Sequence, residues 1–266
     1  MKKFQFRRRV ASLAALASTV TLLACGGQEA PPDDSADDDE PMTPSTPGQP
    51  TGGGGSGGDP EPEQPSASMD YFPLVDGSSF TYVHSTGWQE TITVSATTYE
   101  GAPAFLLKDT ADPDGERSES IFVKSGTQVL RVYKEDFDTT ANDTLIAQVE
   151  YRPGFLRADS AWADATIGEE MAAAYERTET DPGQAPDPTE ARSHTFTLEG
   201  IEDVTTNAGT FRGCLRVHRQ RTWETDLAAG DEGQEKRFWF APGVGKVQEE
   251  TLDNGNTERL EAYTIP

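Results

Sequence analysis

The chain predicts an all-β domain: a single antiparallel sheet of about ten strands, strongly curved or rolled into a half-barrel. Three observations predict it. Apolar and polar residues alternate at period two along short segments. Those segments are rich in Thr, Val, Tyr and Phe, which suit a pleated, half-buried surface. Glycine-bearing turns separate them at short intervals.

The elements can be taken in order. Phe80, Tyr82 and His84 alternate with Thr81 and Val83, and Ile92 and Val94 with Thr91 and Thr93. Leu130 and Val132 alternate with Arg131 and Tyr133, and Leu145, Ala147 and Val149 with Ile146 and Gln148. Phe196 and Leu198 form a further period-two strand, as do Leu215 and Val217 with Arg216 and His218 between and beyond them. Asp76-Gly77, Asp114-Gly115, Ser125-Gly126, Asn207-Ala208-Gly209 and Asp253-Asn254-Gly255 suit turns that need positive φ. The last of these should join Lys246–Leu252 to Thr257–Tyr263 in a hairpin. The stretch Ser160–Tyr175 has room for one short helix, broken at Gly168. Asp181–Thr189, with three prolines, reads as a loop. This domain spans residues 70–266, enough for one core.

Two segments precede it. Residues 1–24 read as a signal peptide: a basic start (Lys2, Lys3, Arg7, Arg8, Arg9), then an apolar run, Val10–Leu23, short of the roughly 20 residues that span a bilayer. Leu22-Leu23-Ala24-Cys25 with Gly26-Gly27 after it resembles the lipobox of bacterial lipoproteins. The resemblance implies cleavage before Cys25 and acylation of that cysteine, palmitate among its chains. Several chains on one residue give stable anchoring. Gly26 rather than Asp implies the outer membrane, on its periplasmic or surface face, in a host with two membranes. Residues 25–69 then form a linker of Pro, Gly, Ser, Thr and acid, with no aromatic, Ile, Val, Leu, Lys or Arg. Such a segment cannot bury enough apolar surface to order itself. As a flexible coil its 44 residues after Cys25 would reach about 35–40 Å root-mean-square.

Charge excludes some partners. The net charge is −24; loss of the five basic residues of the signal makes it −29, and removing the ten acids of the linker leaves the domain at −19. Nucleic acid is excluded, and adhesion to anionic headgroups is disfavoured. Cys25 and Cys214 are the only cysteines. With Cys25 acylated, Cys214 is a lone thiol and fits best as a small buried residue. No Cys/His metal site can be assembled, and His84, His194 and His218 have no ligand at metal spacing. Asp112-x-Asp114-Gly115 fails as a calcium loop, because Thr110 and Ile121 fall at the first and twelfth ligand positions. No nucleophile elbow or phosphate loop is present, so no enzyme activity, cofactor or catalytic residue is expected.

A wider resemblance covers both ends of the domain. Tyr71-Phe72-Pro73-Leu74, Gly77 and Phe80-Thr81-Tyr82 resemble the opening of a set of uncharacterised bacterial lipoproteins. Ala208-Gly209-Thr210-Phe211 with Cys214-Leu215-Arg216-Val217, and Ala241-Pro242-Gly243-Val244-Gly245, resemble two later strands of the same set. Phe80 departs from that set's usual Trp, and Ser160–Arg192 matches nothing in it. The resemblance implies half-barrels similar to LolA-like lipoproteins that carry acyl chains, and implies no activity. Gly209 should permit a tight turn, and Pro242-Gly243 with Gly245 a bulge or corner where a strand bends and continues.

The reading is therefore an envelope lipoprotein whose half-barrel shelters a lipid or other hydrophobic ligand. Phe80, Tyr82, Trp88, Phe105, Trp223 and Trp239 are the candidate lining. Arg216, His218, Arg219 and Arg221 form the one basic cluster, a candidate anion site or a set of cross-strand partners for acids. The alternative is a non-catalytic structural or protein-interaction module of the envelope. A hydrolase with no recognisable motif is a third.

Overall fold

The computed structural model describes residues 66, 69–221 and 235–266. Cys25, the linker up to residue 65 and Trp223 lie outside them. The strands are β1 (Ser79–His84), β2 (Gln89–Tyr99), β3 (Ala102–Asp109), β4 (Glu116–Ser125), β5 (Gln128–Asp138) and β6 (Thr144–Asp159). They continue with β7 (Glu170–Thr180), β8 (Glu190–Thr206), β9 (Gly209–Arg221), β10 (Lys236–Ala241), β11 (Gly245–Thr251) and β12 (Asn256–Thr264). Each pairs antiparallel with its neighbours in chain order, and β1 pairs with β12 to close the barrel.

The all-β antiparallel expectation holds, but the sheet has twelve strands and closes fully. The seam runs Phe80↔Tyr263, Tyr82↔Leu260 and His84↔Glu258, so neither end strand is left as an unpaired edge. Ser160–Tyr175 holds no α-helix. Ser160–Asp164 is a short 3-10 turn, and Met171–Tyr175 pairs with His194, Phe196 and their neighbours on β8. Cross-strand pairing there overrides the helix preference of three consecutive alanines. Pro242–Val244 is not a corner within a strand but the turn between β10 and β11, closed by the Val244 N–H donating to the Ala241 carbonyl at 3.2 Å. Asp76-Gly77 leads into β1 instead of joining two strands; the Gly77 N–H donates to the Val94 carbonyl at 3.0 Å. The turns at Gly115, Gly126, Gly209 and Gly255 fall between strands, each with positive φ at its glycine.

Barrel width grows with strand number; about eight strands are just filled by their own side chains. Twelve need extra filling, and Tyr71–Leu74 supplies it. Tyr71 is 1% exposed and packs with Trp162, Phe196 and Phe240 in the main core. Leu74 packs with Phe122 and Val129 on the opposite wall, and Phe72 bridges the two groups. Backbone ties fix the segment: the Tyr71 N–H donates to Ser160 Oγ at 3.3 Å, and the Gly243 N–H to the Asp70 carbonyl at 2.8 Å. The aromatic opening motif is thus a plug.

The β8–β9 hairpin builds a second core. Its Val204, Phe211 and Cys214 pack with Trp239, Val247 and Leu260, and the Ala208 N–H meets the Leu260 carbonyl. Among the described residues the large exposed apolar side chains are Ile167, Ile201 and Tyr263. Ion pairs such as Lys108–Glu119 and Arg216–Glu202 reach solvent.

Candidate functional site

Above the plug the lumen keeps a cavity of about 280 Å³. Its lining is two-sided. Phe80, Ile92, Val94, Leu107 and Phe122 make an apolar wall from β1 to β4, and Phe72 and Leu74 of the plug form the floor. Charged groups make the rest: Arg131, Lys134, Arg157, Lys236 and Lys246 against Glu90, Asp109, Glu249 and Glu258. Glu90 stands near the start of β2 and Asp109 at the end of β3, so the polar side lies toward the barrel end that carries the β1–β2 and β3–β4 turns.

On the β10–β12 wall the charges are paired. Glu249 and Glu258 face one another across β11 and β12 and are 7% and 9% exposed. Lys246 Nζ lies 3.0 Å from Glu249 Oε2 and 2.6 Å from Glu258 Oε1, and Lys236 also binds Glu249. Burial alone would drive Lys246 toward neutrality, but the two carboxylates hold its pKa above the ordinary lysine value. Burial raises Glu249 too, yet Lys246 and Lys236 bring it well below the usual carboxylate range. Glu258 is raised, because burial and the Glu249 charge outweigh Lys246. Lys246 Nζ also lies 4.7 Å from the Tyr82 ring centroid, and the Tyr82 hydroxyl donates to the Lys246 carbonyl at 3.0 Å. Across the lumen, burial pushes Asp109 up to about 6, although the Ser118 N–H donates to it.

On the β5–β6–β9 side three arginines have no ion-pair partner among the described residues. Arg131, Arg157 and Arg219 converge on the Phe155 ring, their guanidinium carbons 5.1, 5.4 and 5.4 Å from its centroid. Arg131 also covers Tyr151 and Arg219 covers Phe238. Tyr175 and His194 pack against the same ring at 5.3 and 5.1 Å. No ion pair or hydrogen bond joins any of these three arginine side chains to another described residue, and the Nε atoms of Arg131 and Arg219 are buried without a hydrogen-bond partner. Burial and the Arg157 charge bring Arg219 down to about 9. Burial, with Arg219 and Arg221 beside it, brings His194 to about 3, so it stays neutral.

The arrangement depends on a break in β6. Pairing with β5 jumps from Tyr133↔Glu150 to Arg131↔Phe155, which leaves extra residues on β6. Gly154 sits in this break at φ 157°, and a Cβ there would come within 2.9 Å of Leu130 Cβ. The bulge sets Arg131 and Phe155 side by side.

No family model and no curated protein matches the chain. Among solved structures, it is similar to a Bacteroides fragilis protein described as exported with a YmcC-like fold, at 15% identity and a TM-score of 0.46, over 74% of this chain and 99% of that one. A Parabacteroides distasonis protein described as a lipoprotein aligns at 13% identity and a TM-score of 0.45, over 74% and 99%. The hypothetical lipoprotein YmcC of Escherichia coli aligns at 10% and 0.38, over 73% and 90%.

Of the aromatic residues singled out in the sequence, Phe80 and Tyr82 line the cavity. Trp88 lies in the β1–β2 turn, stacked on His84 at 3.9 Å. Phe105 packs between two cores. Trp239 is buried in the second core, and its Nε1–H donates to Glu202 at 2.6 Å. The basic cluster of β9 is divided by strand alternation. Arg216 pairs with Glu199 and Glu202, and His218 lies 3.4 Å from Glu235. Arg219 points to Phe155, and Arg221 pairs across β8 with His194. Cys214 is buried, and burial pushes its thiol up to about 12, as a packing residue requires.

His84, Glu90 and Glu258 come together across β1, β2 and β12, a grouping that linear spacing hides. Lys246 already compensates Glu258, so an incoming cation would have to displace a buried ammonium. Sequence reading missed Arg131, Arg157 and the Lys246–Glu249–Glu258 network. Arg131 occupies the polar phase of Leu130-Arg131-Val132, and the lumen accepts it because its lining is charged.

Proposed function

We propose that the protein is an envelope lipoprotein, tethered by acyl chains on Cys25 and lifted from the membrane by its acidic linker, whose barrel lumen binds a small amphipathic molecule. The lumen's two-sided lining carries this reading. An apolar wall from Phe80 to Phe122 faces fixed charge across about 280 Å³, just under the roughly 300–1,000 Å³ of small-molecule pockets. That volume favours a short-tailed molecule over a diacyl lipid. The outer-membrane address rests on Cys25-Gly26.

Native mass spectrometry of the full chain carrying Cys25→Ser, exported and purified without detergent, tests the binding reading. A co-purifying small mass lost on denaturation supports it. A bare chain that stays bare after incubation with octyl compounds refutes it and moves the search to protein partners. Palmitate labelling that survives Cys25→Ser would refute the anchor.

A further inference from the structure

We infer that the cavity's ligand carries an anionic head, a carboxylate or a phosphate monoester, received by Arg131 and Arg157 with Arg219 adding to the field; this rests on the lumen being a ligand cavity. Arg131 and Arg157 line the cavity directly. They come from β5 and β6, and Arg219 from β9, so three strands aim positive charge at one spot beside Phe155.

Other cations of the lumen are already committed: Lys134 to Asp136, Lys236 to Glu249, and Lys246 to Glu249 and Glu258. Glu249, the carboxylate that most stabilises the Arg157 and Arg219 charges, is itself held by those two lysines. The arginines therefore carry the uncompensated charge. Cation–π contacts offset part of the cost of burying them, but each guanidinium has five N–H donors and a ring face satisfies none of them well. Arg219 is only 9% exposed, and its Nε and that of Arg131 have no acceptor. Three like charges held together with no direct ion pair are stabilised further by a bound anion. A planar guanidinium fork matches two oxygens of a carboxylate or phosphate. Ile92, Val94 and Leu107 then offer the tail an apolar wall. A chain of octanoate's length is on the scale of the 280 Å³ cavity.

Calorimetric titration of the full Cys25→Ser chain with octanoate, octyl phosphate, 1-octanol and inorganic phosphate tests this. Octanoate and octyl phosphate should bind at least about tenfold more tightly than octanol, as hydrogen bonds to a charged group imply. Arg131→Gln and Arg157→Gln should each weaken the acids by about 10- to 100-fold and leave octanol unchanged. Without ligand, both variants should melt no lower than the parent, because each removes like-charge repulsion; Arg157→Lys, which keeps charge but not the fork, should fall between. Octanol binding as tightly as octanoate, or variants that bind octanoate like the parent, would overturn the anionic head and leave the cavity reading standing. No binding of any octyl compound would overturn both. Inorganic phosphate binding as tightly as octyl phosphate would keep the head chemistry and overturn the tail.

Discussion

Replacing Lys246 with Met should cost about 3–5 kcal/mol, the range for removing one member of a buried ion pair. Met keeps most of the volume and all of the backbone, including the carbonyl that accepts the Tyr82 hydroxyl. Only the charge is lost. Glu249 retains Lys236, but among the described residues Glu258 has no other cation partner. Glu258 is 9% exposed, so its carboxylate becomes a buried, unpaired charge. For a domain of this size the loss corresponds to a melting temperature lower by roughly 6–20 °C. The sign of the pH dependence is fixed. The pKa of Glu258 is already raised, and without Lys246 it rises further. Protonation in the folded state then favours folding at low pH, and that benefit disappears as pH rises through the folded pKa. The defect of Lys246→Met should therefore be smaller at pH 5 than at pH 8. Lys246→Met/Glu258→Gln should recover about 1–3 kcal/mol over the single variant. Urea unfolding followed by tryptophan fluorescence at both pH values measures all three quantities. A single variant within about 1 kcal/mol of the parent at pH 8, or a double variant no more stable than the single, would refute the reasoning.

Other positions make separate predictions. The carboxyl of Asp109, raised to about 6, contributes stability that is complete below about pH 4 and lost as pH rises through 6. Asp109→Asn should abolish that slope and gain about 1–2 kcal/mol at pH 7, after allowance for the water that reaches the group; an unchanged pH profile in denaturant melts would contradict this. Gly154→Ala should destabilise by about 1–3 kcal/mol, because the added Cβ strikes Leu130 at a positive φ, and a midpoint within error of the parent would show that β6 relaxes freely. Tyr71→Ala should cost about 3–5 kcal/mol as a core truncation, although the residue lies before the first strand. If Tyr71→Ala melts like the parent, the segment is not a plug.

The strands were legible because their faces alternate and glycine turns separate them. Closure was not. It depends on β1 meeting β12, a pairing between the two ends of the domain that no local pattern encodes. The number of strands was underestimated where polar or alanine-rich segments still pair, as in Met171–Tyr175. The plug was visible only as an aromatic motif; its role follows from the width of a twelve-strand barrel. The site was harder to read, since the period-two rule assigns charged residues outward. Arg131, Arg157 and Lys246 all break that rule, and all three lie at or beside register shifts that change which face a residue joins. Arg216, Arg219 and Arg221 looked like one cluster in the sequence, and the pleat sends them to different faces.

The most direct measurement is a methyl NMR titration of the full Cys25→Ser chain with octanoate. The account predicts saturable shifts at Ile92, Val94 and Leu107, which line the lumen, and none at Ile167 or Ile201, which face solvent. Shifts confined to the solvent-facing methyls, or no saturable shift at any methyl, would contradict the claim that this barrel holds its ligand inside.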